Sequence, residues 1–415
     1  MKLAFVSIFL SCFFAFCAKN PPLSVNGEIV RTEENIKIIK LWGSHEERGF
    51  AYGYLIGDDI LKVHNQYIKP LFRGLYKDAK VLLQDSSSFK IPNQYIVEAK
   101  GIVAGMKAKG IEMDGFDEWD LLLSNSFLDV MGFAYTLSQG KHGCSSLISW
   151  GEATKGTDLD GQAVISRHVD WSADGALIKN NVVVIHIPSE KNEQPWAMIG
   201  FSGQMSALSG VNQNGVGAFQ HMVFTSSSSS ALFQGYEPIW FSLRKGIETK
   251  DHNQDGTDDI NDIKSVIESN KNGYADSFIV SVIGNSQEDN SAAMIAEIDP
   301  KKPYYSFRGN EYADSIPGDN LYTANSEFKR KAKNVYCSRY ETTIGAIGNG
   351  KNIDPEANWN LMRDHSNCAE LGFDNVQFMQ FVPSELQLKL AVYKNGKHAY
   401  LNEPLEIDLR LLFEY

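Results

Sequence analysis

Past residue 18 the chain holds no uncharged apolar run approaching the ~20 residues a membrane-spanning helix needs, so the body of the sequence offers no candidate span. It also lacks an excess of basic charge. Its 39 Lys and Arg stand against 51 Asp and Glu, a net charge of −12. A protein that grips nucleic acid by its phosphates carries a basic stripe, so that class of partner is excluded. Cysteine is scarce, five in 415 residues, which rules out a disulfide-knit miniature scaffold. No internal repeat occurs, which removes repeat architectures.

What remains is ordinary globular material. Hydrophobic residues make up 43% and charged residues 22%, at a length that can bury a large core. The first stretch is the exception. Lys2 precedes an uncharged run, Leu3 to Ala18, and Lys19-Asn20-Pro21-Pro22 ends it. That pattern predicts a secretory signal over 1–18, cut after Cys17 or Ala18, and hence a secreted or periplasmic protein. A lipid anchor on Cys17 is the alternative and the sole route to a membrane. Phe14-Ala15-Phe16 fits such a site poorly. With Cys12 and Cys17 assigned to the leader, Cys144, Cys337 and Cys368 remain. An odd count in an oxidising compartment points to a free thiol at Cys144 and a Cys337–Cys368 disulfide. Two unpaired buried cysteines are the competing reading.

The chain changes texture at Cys144. Before it, residues 23–35 read as an exposed lead-in and 36–41 as a strand. Tyr52, Leu55, Ile56, Ile60, Val63 and Tyr67 recur at helical spacing, and further helices are predicted at 93–108 and 118–138. After it, short apolar runs at 145–150, 162–169, 181–188, 196–201 and 216–224 alternate with Gly, Asn, Asp and Ser, the mark of antiparallel strands. Helical pattern returns at 237–248, 260–270 and 332–347, with strands at 277–284 and 292–298. Val376–Val392, a Lys394-Asn-Gly-Lys397 turn and a strand near 405–413 close the chain. Strands clustered between helical blocks predict an α+β fold with helices outside a pair of sheets.

The chemistry gathers in one stretch. Cys144 follows Gly143 at the head of a strand, and Arg167 and Asp170 end the next one. A thiol needs a base to become a nucleophile. A chain cut between Gly143 and Cys144 would supply one, because the α-amine of Cys144 titrates near neutrality, at about 7.7–8.0. Arg167 would then hold anionic groups in place and Asp170 would orient the new amine. The plain alternatives are a buried cysteine used as a small hydrophobe and a surface Arg–Asp pair.

The stretch His142–Trp171 resembles the signature of cysteine-type N-terminal-nucleophile (Ntn) hydrolases, closest to the isopenicillin-N/6-aminopenicillanic-acid acyltransferase family, with bile-salt hydrolases and acid ceramidase as more distant relatives. Leu41–Gly53, Ser209–Gly217, Thr323–Phe328 with Arg339-Tyr340, and Arg363–Cys368 resemble further family segments in the same order. The resemblance implies a four-layer αββα sandwich, a helical pro-segment at 19–143 and a catalytic chain from 144 to 415. The two chains would stay together as an α/β heterodimer. It implies Cys144 as self-cleaving and catalytic nucleophile, Arg167 and Asp170 as its support, Asn325 as an oxyanion-hole amide and Arg339 as a supporting or substrate-facing charge. The reaction implied is cleavage of the C–N bond of an N-acylated substrate through an acyl-cysteine, passed to water or to an acceptor amine, with no catalytic cofactor. Two departures stand out. Relatives carry Asn where this chain has His168. On the strand after the glycine-rich turn they carry another Asn, where this chain reads Phe219-Gln-His-Met222; Gln220 and His221 are therefore the substitute oxyanion-hole candidates.

A separate motif lies at 251–262. Asp251, Asn253, Asp255, Asp259 and Asp262 occupy positions 1, 3, 5, 9 and 12 of a loop with Gly256 at position 6, the spacing of an EF-hand calcium loop. Asp262 replaces the usual Glu. The loop predicts a structural calcium ion, against the plainer reading of an acidic loop capping a helix. Three rival functions remain: an acyl-ester or phospholipid hydrolase of the same architecture, a non-catalytic calcium-stabilised binding protein, and a conventional Cys-His enzyme based on His142, His168, His221 or His365.

Overall fold

A computed structural model of the chain describes residues 24–134, 143–223, 233–287, 292–310, 316–329, 338–367 and 374–414. Strands β1 (Gly27–Glu33) and β2 (Ile36–Gly43) lead into helices α1 (His45–Val63), α2 (Tyr76–Gln84), α3 (Asn93–Lys109), α4 (Glu118–Ser124) and α5 (Phe127–Ala134). Next come β3 (Gly143–Ser149), β4 (Val164–Trp171), β5 (Asn181–Pro188), β6 (Trp196–Phe201), β7 (Ser209–Asn212) and β8 (Gly217–Met222). Helices α6 (Ile239–Glu248) and α7 (Ile260–Ser269) precede β9 (Phe278–Ile283), β10 (Ala293–Ile298), β11 (Tyr305–Arg308) and β12 (Asn320–Thr323). Helices α8 (Ser338–Ile347) and α9 (Pro355–His365) and strands β13 (Asp374–Val382), β14 (Gln387–Val392) and β15 (Leu405–Asp408) follow.

Among the described residues the strands form two sheets, ordered β1-β2-β5-β6-β7-β8-β9-β10-β11 and β12-β3-β4-β13-β14-β15. All neighbours are antiparallel except β2 and β5. The sheets face each other: Arg167 on β4 bonds to Ser209 on β7, and Gln377 on β13 donates to Asn181 and Gly200. Helices α1, α6 and α7 cover the larger sheet, and α8 and α9 cover the smaller. The architecture is the expected αββα sandwich. No helix of the described residues is long and apolar enough to cross a membrane.

Local differences from the expectation have physical causes. The lead-in is strand β1, an edge strand exposed on nearly every residue, so no apolar alternation marks it. The helix expected over 118–138 breaks after α4, where the Asn125 amide is drawn to the Gly203 carbonyl and the Met205 N–H. The strand expected near 405–413 stops at Asp408, whose side chain accepts from the Arg410 N–H and starts a helical turn instead. The segment before Cys144 is also more than helical. Strand β2 lies in full register beside β5, so this segment is built into the larger sheet.

Helices α1 and α3 meet along glycines. A Cβ at Gly53 would run into the Ile102 carbonyl oxygen, and one at Gly105 into the Phe50 carbonyl oxygen. Only glycine allows the two backbones this close. Gly53→Ala should therefore lower unfolding free energy by about 1–3 kcal/mol, read from the urea midpoint. Gly345→Ala, on a helix where a Cβ meets open space, is the control that should not lose stability.

A buried charge cluster joins this segment to the later chain. Arg244 of α6 pairs with Glu98 of α3 at 2.6 Å and with Glu248 at 2.9 Å. His45 lies 2.7 Å from Glu98 and 2.8 Å from Glu193. Burial works against its charge, but the two carboxylates prevail and raise its pKa to about 9.

Candidate active site

Three neighbouring strands bring the expected residues together. β3 runs between β12 and β4, with Gly143 opposite Asp170 and Cys144 opposite Val169. Strand β12 ends two residues before Asn325, whose Oδ1 accepts the Cys144 N–H at 3.0 Å. Arg339, at the start of α8, donates to the same Oδ1 at 2.9 Å, to the Cys144 carbonyl at 3.3 Å and to Asp170 Oδ2 at 2.6 Å. Asn375 Nδ2 donates to the other oxygen of Asp170 at 2.8 Å. All five residues are buried. Arg339 and Asp170 thus form an interior ion pair wrapped around Cys144, and neither is on the surface.

The Asn325 oxygen faces two donors, which fixes its orientation, and its Nδ2 donates to the Met222 carbonyl at 2.7 Å. In this arrangement Asn325 holds the backbone nitrogen of Cys144, the task expected of Asp170. Asp170 accepts one hydrogen bond on each carboxylate oxygen, from Arg339 and from Asn375.

The thiol is buried, and burial pushes its pKa up. The Arg167 guanidinium and the Asp170 backbone N–H pull the other way without prevailing. Arg167 is fully buried, donating to Ser209 Oγ and the Gln220 carbonyl, over the Phe219 ring. In the uncut chain Cys144 is therefore a thiol at neutral pH and needs a base.

Cys144 opens on a cavity with an overwhelmingly apolar wall. Ile60, Val63, Leu121, Phe127 and Leu128 line one side, and Val169, Trp171, Phe201, Met222 and Trp240 the other. Gln220 also lines it. Its Oε1 accepts from the indole N–H of Trp240 at 3.0 Å, and because indole nitrogen only donates, the amide Nε2 must face away. That Nε2 is buried without a partner. A buried donor left unmet is costly unless a further acceptor reaches it.

His221 does not line the cavity. It sits between the sheets, 3.0 Å from Ser146 Oγ and 3.1 Å from Ser281 Oγ, and burial, helped by Arg167 and Arg339, keeps it neutral. His168 stacks on Phe378 at 4.3 Å and bonds to the Met362 carbonyl. His365 contributes its carbonyl to Thr342 and Thr343. None of these three lines the cavity; His142 lies outside the described residues. Trp171 and Phe201 line the cavity, whereas Trp150 is core; Phe224 lies outside the described residues. So do both members of the expected disulfide, Cys337 and Cys368, and the leader. Among the described residues Cys144 is the free cysteine.

The acidic loop curls around Asp251, whose oxygens accept from the N–H groups of Asp255 at 2.9 Å and Gly256 at 3.0 Å. Gly256 has φ +94°, as position 6 demands. Asn253 and Asp255 turn back on the loop, and Asp259 and Asp262 form a capping box at the start of α7.

Two residues of the site escaped sequence reading. Asn375, which bonds to Asp170, and Ser209, which bonds to Arg167, are polar residues whose partners lie on other strands, with no local pattern to announce them. The Leu41–Gly53 segment now has a physical reading: Ser44 and Glu47 make a capping box that starts α1.

No family model matches the chain, and no curated protein matches it. Among solved structures similar to it is an N-acylethanolamine-hydrolyzing acid amidase ortholog from Caenorhabditis elegans, at 13% identity and TM-score 0.41, covering 64% of this chain and all (100%) of that one. A variant of the conjugated bile acid hydrolase from Clostridium perfringens gives 12% identity and TM-score 0.41, covering 65% and 94%. Penicillin V acylase from Agrobacterium tumefaciens gives 10% identity and TM-score 0.33, covering 64% and 86%.

Proposed function

We propose that the chain is a self-activating Ntn-type amidase that hydrolyses N-acylated substrates with an apolar acyl group. One observation carries the reading: Cys144 opens on a large apolar cavity while its own backbone nitrogen is already held by Asn325. In the activating step the Cys144 sulfur attacks the Gly143 carbonyl carbon. A C–S bond forms, the Gly143–Cys144 C–N bond breaks and the nitrogen takes the thiol proton. Water then hydrolyses the thioester, leaving a new carboxylate and a free α-amine on Cys144.

That amine stays beside Asn325 Oδ1 and serves as the base the buried thiol lacks. It takes the thiol proton, and the thiolate, held near Arg167, attacks the substrate carbonyl. The unmet Gln220 Nε2–H accepts the oxyanion's charge. The amine returns its proton to the leaving nitrogen, and water or an acceptor amine releases the acyl group. Arg339, Asp170 and Asn375 keep the assembly in register. In this reading the protein is exported, and the segment before Cys144 remains bound as the partner chain, since β2 and the His45–Glu98–Arg244 cluster are integral to the sandwich.

Intact mass and N-terminal sequencing of the folded protein test the activation step, and matched acyl amides and acyl esters test the bond. A new chain beginning Cys-Ser-Ser-Leu, with amide turnover, is expected. A folded chain that stays whole overturns the reading and favours a binding protein, and turnover of esters alone favours the ester hydrolase.

The 251–262 loop we assign to a structural calcium ion. The hard oxygen donors and the turn around Asp251 fit that ion, with Asp251, Asn253, Asp255, Asp259 and Asp262 as its ligands. Millimolar calcium should raise the melting temperature of the chelator-treated protein by several degrees, and Asp251→Ala should abolish the rise. An unchanged melting temperature would leave the loop as a helix cap alone.

A further inference from the structure

The wall of the cavity supplied by the segment before Cys144 carries a polar group that the amidase mechanism does not use. His64 begins a π-helical turn, His64–Ile68, directly after α1, and both His64 and Ser124 line the cavity. His64 Nδ1 lies 3.0 Å from Ser124 Oγ, and its Nε2 lies 3.0 Å from the Tyr76 hydroxyl. Tyr76 in turn donates to Asp120 Oδ1. Asp120 is held as a carboxylate: burial opposes its charge, but Tyr76, the Asp117 N–H at 2.8 Å and Lys80 at 3.1 Å outweigh it.

These contacts settle where the protons are. Tyr76 has one hydroxyl proton and gives it to the carboxylate, so the Tyr76 oxygen must accept from His64 Nε2–H. Burial lowers the His64 pKa to about 4, so the ring carries no second proton at neutral pH. Its Nδ1 is then a bare lone pair facing Ser124. The Ser124 proton has two acceptors within reach, His64 Nδ1 and the Asp120 carbonyl at 2.8 Å. The Ser124 oxygen, however, receives no hydrogen bond from either. An acceptor with open lone pairs therefore stands on an apolar wall, backed by a buried relay that fixes its orientation.

We infer that Ser124, held by His64, is a specificity site for a hydrogen-bond donor on the substrate, and that the preferred acyl chain carries a hydroxyl group where it passes Ser124. The assignment of that hydroxyl to the acyl part rests on the proposed amidase reading. An unsubstituted chain leaves the serine acceptor dry. A hydroxyl set against the aliphatic and aromatic side chains that make up most of the wall is buried without a partner, which penalises it.

Binding can be measured without turnover. Calorimetry on the uncut Cys144→Ala chain would use dodecanamide and a set of hydroxydodecanamides, each with one hydroxyl at a successive chain carbon. One positional isomer should bind about tenfold more tightly than its neighbours in the set. Adding Ser124→Ala should flatten the profile, reducing the ratio of that isomer to its neighbours about tenfold, and Ser124→Thr should restore the peak. A ratio is the informative readout, since a general loosening of the cavity weakens all isomers alike. A flat profile in the Ser124 protein, or a peak that survives Ser124→Ala, would overturn the inference. If the profile peaks as expected but processed wild-type protein cleaves none of the corresponding N-substituted amides, the site stands and the amidase reading is what fails.

Discussion

Cys144→Ala should leave the purified chain whole and lower amide turnover by on the order of 10⁴-fold or more, because one atom serves both steps. In the proposed mechanism the substitution removes the sulfur that attacks Gly143 and the sulfur that attacks substrate. It leaves the contacts of the Cys144 backbone in place: its N–H and carbonyl still meet Asn325 and Arg339. The variant should therefore fold as the wild type does, with a far-ultraviolet spectrum and urea midpoint close to it, so lost activity cannot be blamed on lost structure. Mass spectrometry checks the cut and a fluorogenic acyl amide checks turnover. If the alanine chain is still processed, another nucleophile cuts it; if it retains turnover, the acyl-cysteine is not on the pathway.

Arg339→Leu should destabilise the protein by about 3–5 kcal/mol, the cost of stranding a buried carboxylate whose main counter-charge is gone. Asp170 would keep only Asn375, and Asn325 would lose one of the two donors that orient its oxygen. Arg339→Leu combined with Asp170→Asn should recover much of the stability, since a neutral pair replaces the unpaired charge. It should not recover activity, because the contacts that fix Asn325 and the Cys144 carbonyl remain absent. Urea unfolding and single-turnover rates on the wild type, both single variants and the double variant separate the two effects. Activity that returns with stability would show that the ion pair only holds the fold. The burial of Arg339 against Asp170 is what gives the pair this weight.

Much of the fold could be read in advance because its signals are local. Strands 181–188 and 196–201 are mostly apolar and bounded by turn-forming residues, and they form as read. Strand β1 and the break at Asn125 could not be read, since an exposed edge strand has no pattern and the Asn125 side chain is claimed by residues some 80 positions away.

The same division holds for the site. Sequence alone singled out the candidate nucleophile, its two neighbouring charges and their strands, because Gly143-Cys144 and Arg167…Asp170 lie within one hairpin. It also marked Asn325, Arg339 and Gln220 as participants through the ordered resemblance. Which of them does what was decided by tertiary structure. Cys144 and Asn325 are 181 positions apart, and only the pairing of β3 with β12 sets the asparagine's oxygen against the cysteine nitrogen. The Trp240 indole likewise sets which end of the Gln220 amide is left without a partner. The Ser124 acceptor exists for the same reason: its proton count depends on His64, Tyr76, Asp120 and Lys80 meeting across separate helices. A hydrogen bond reports its donor and acceptor only when both partners are in place, and for these groups the partners come from far along the chain.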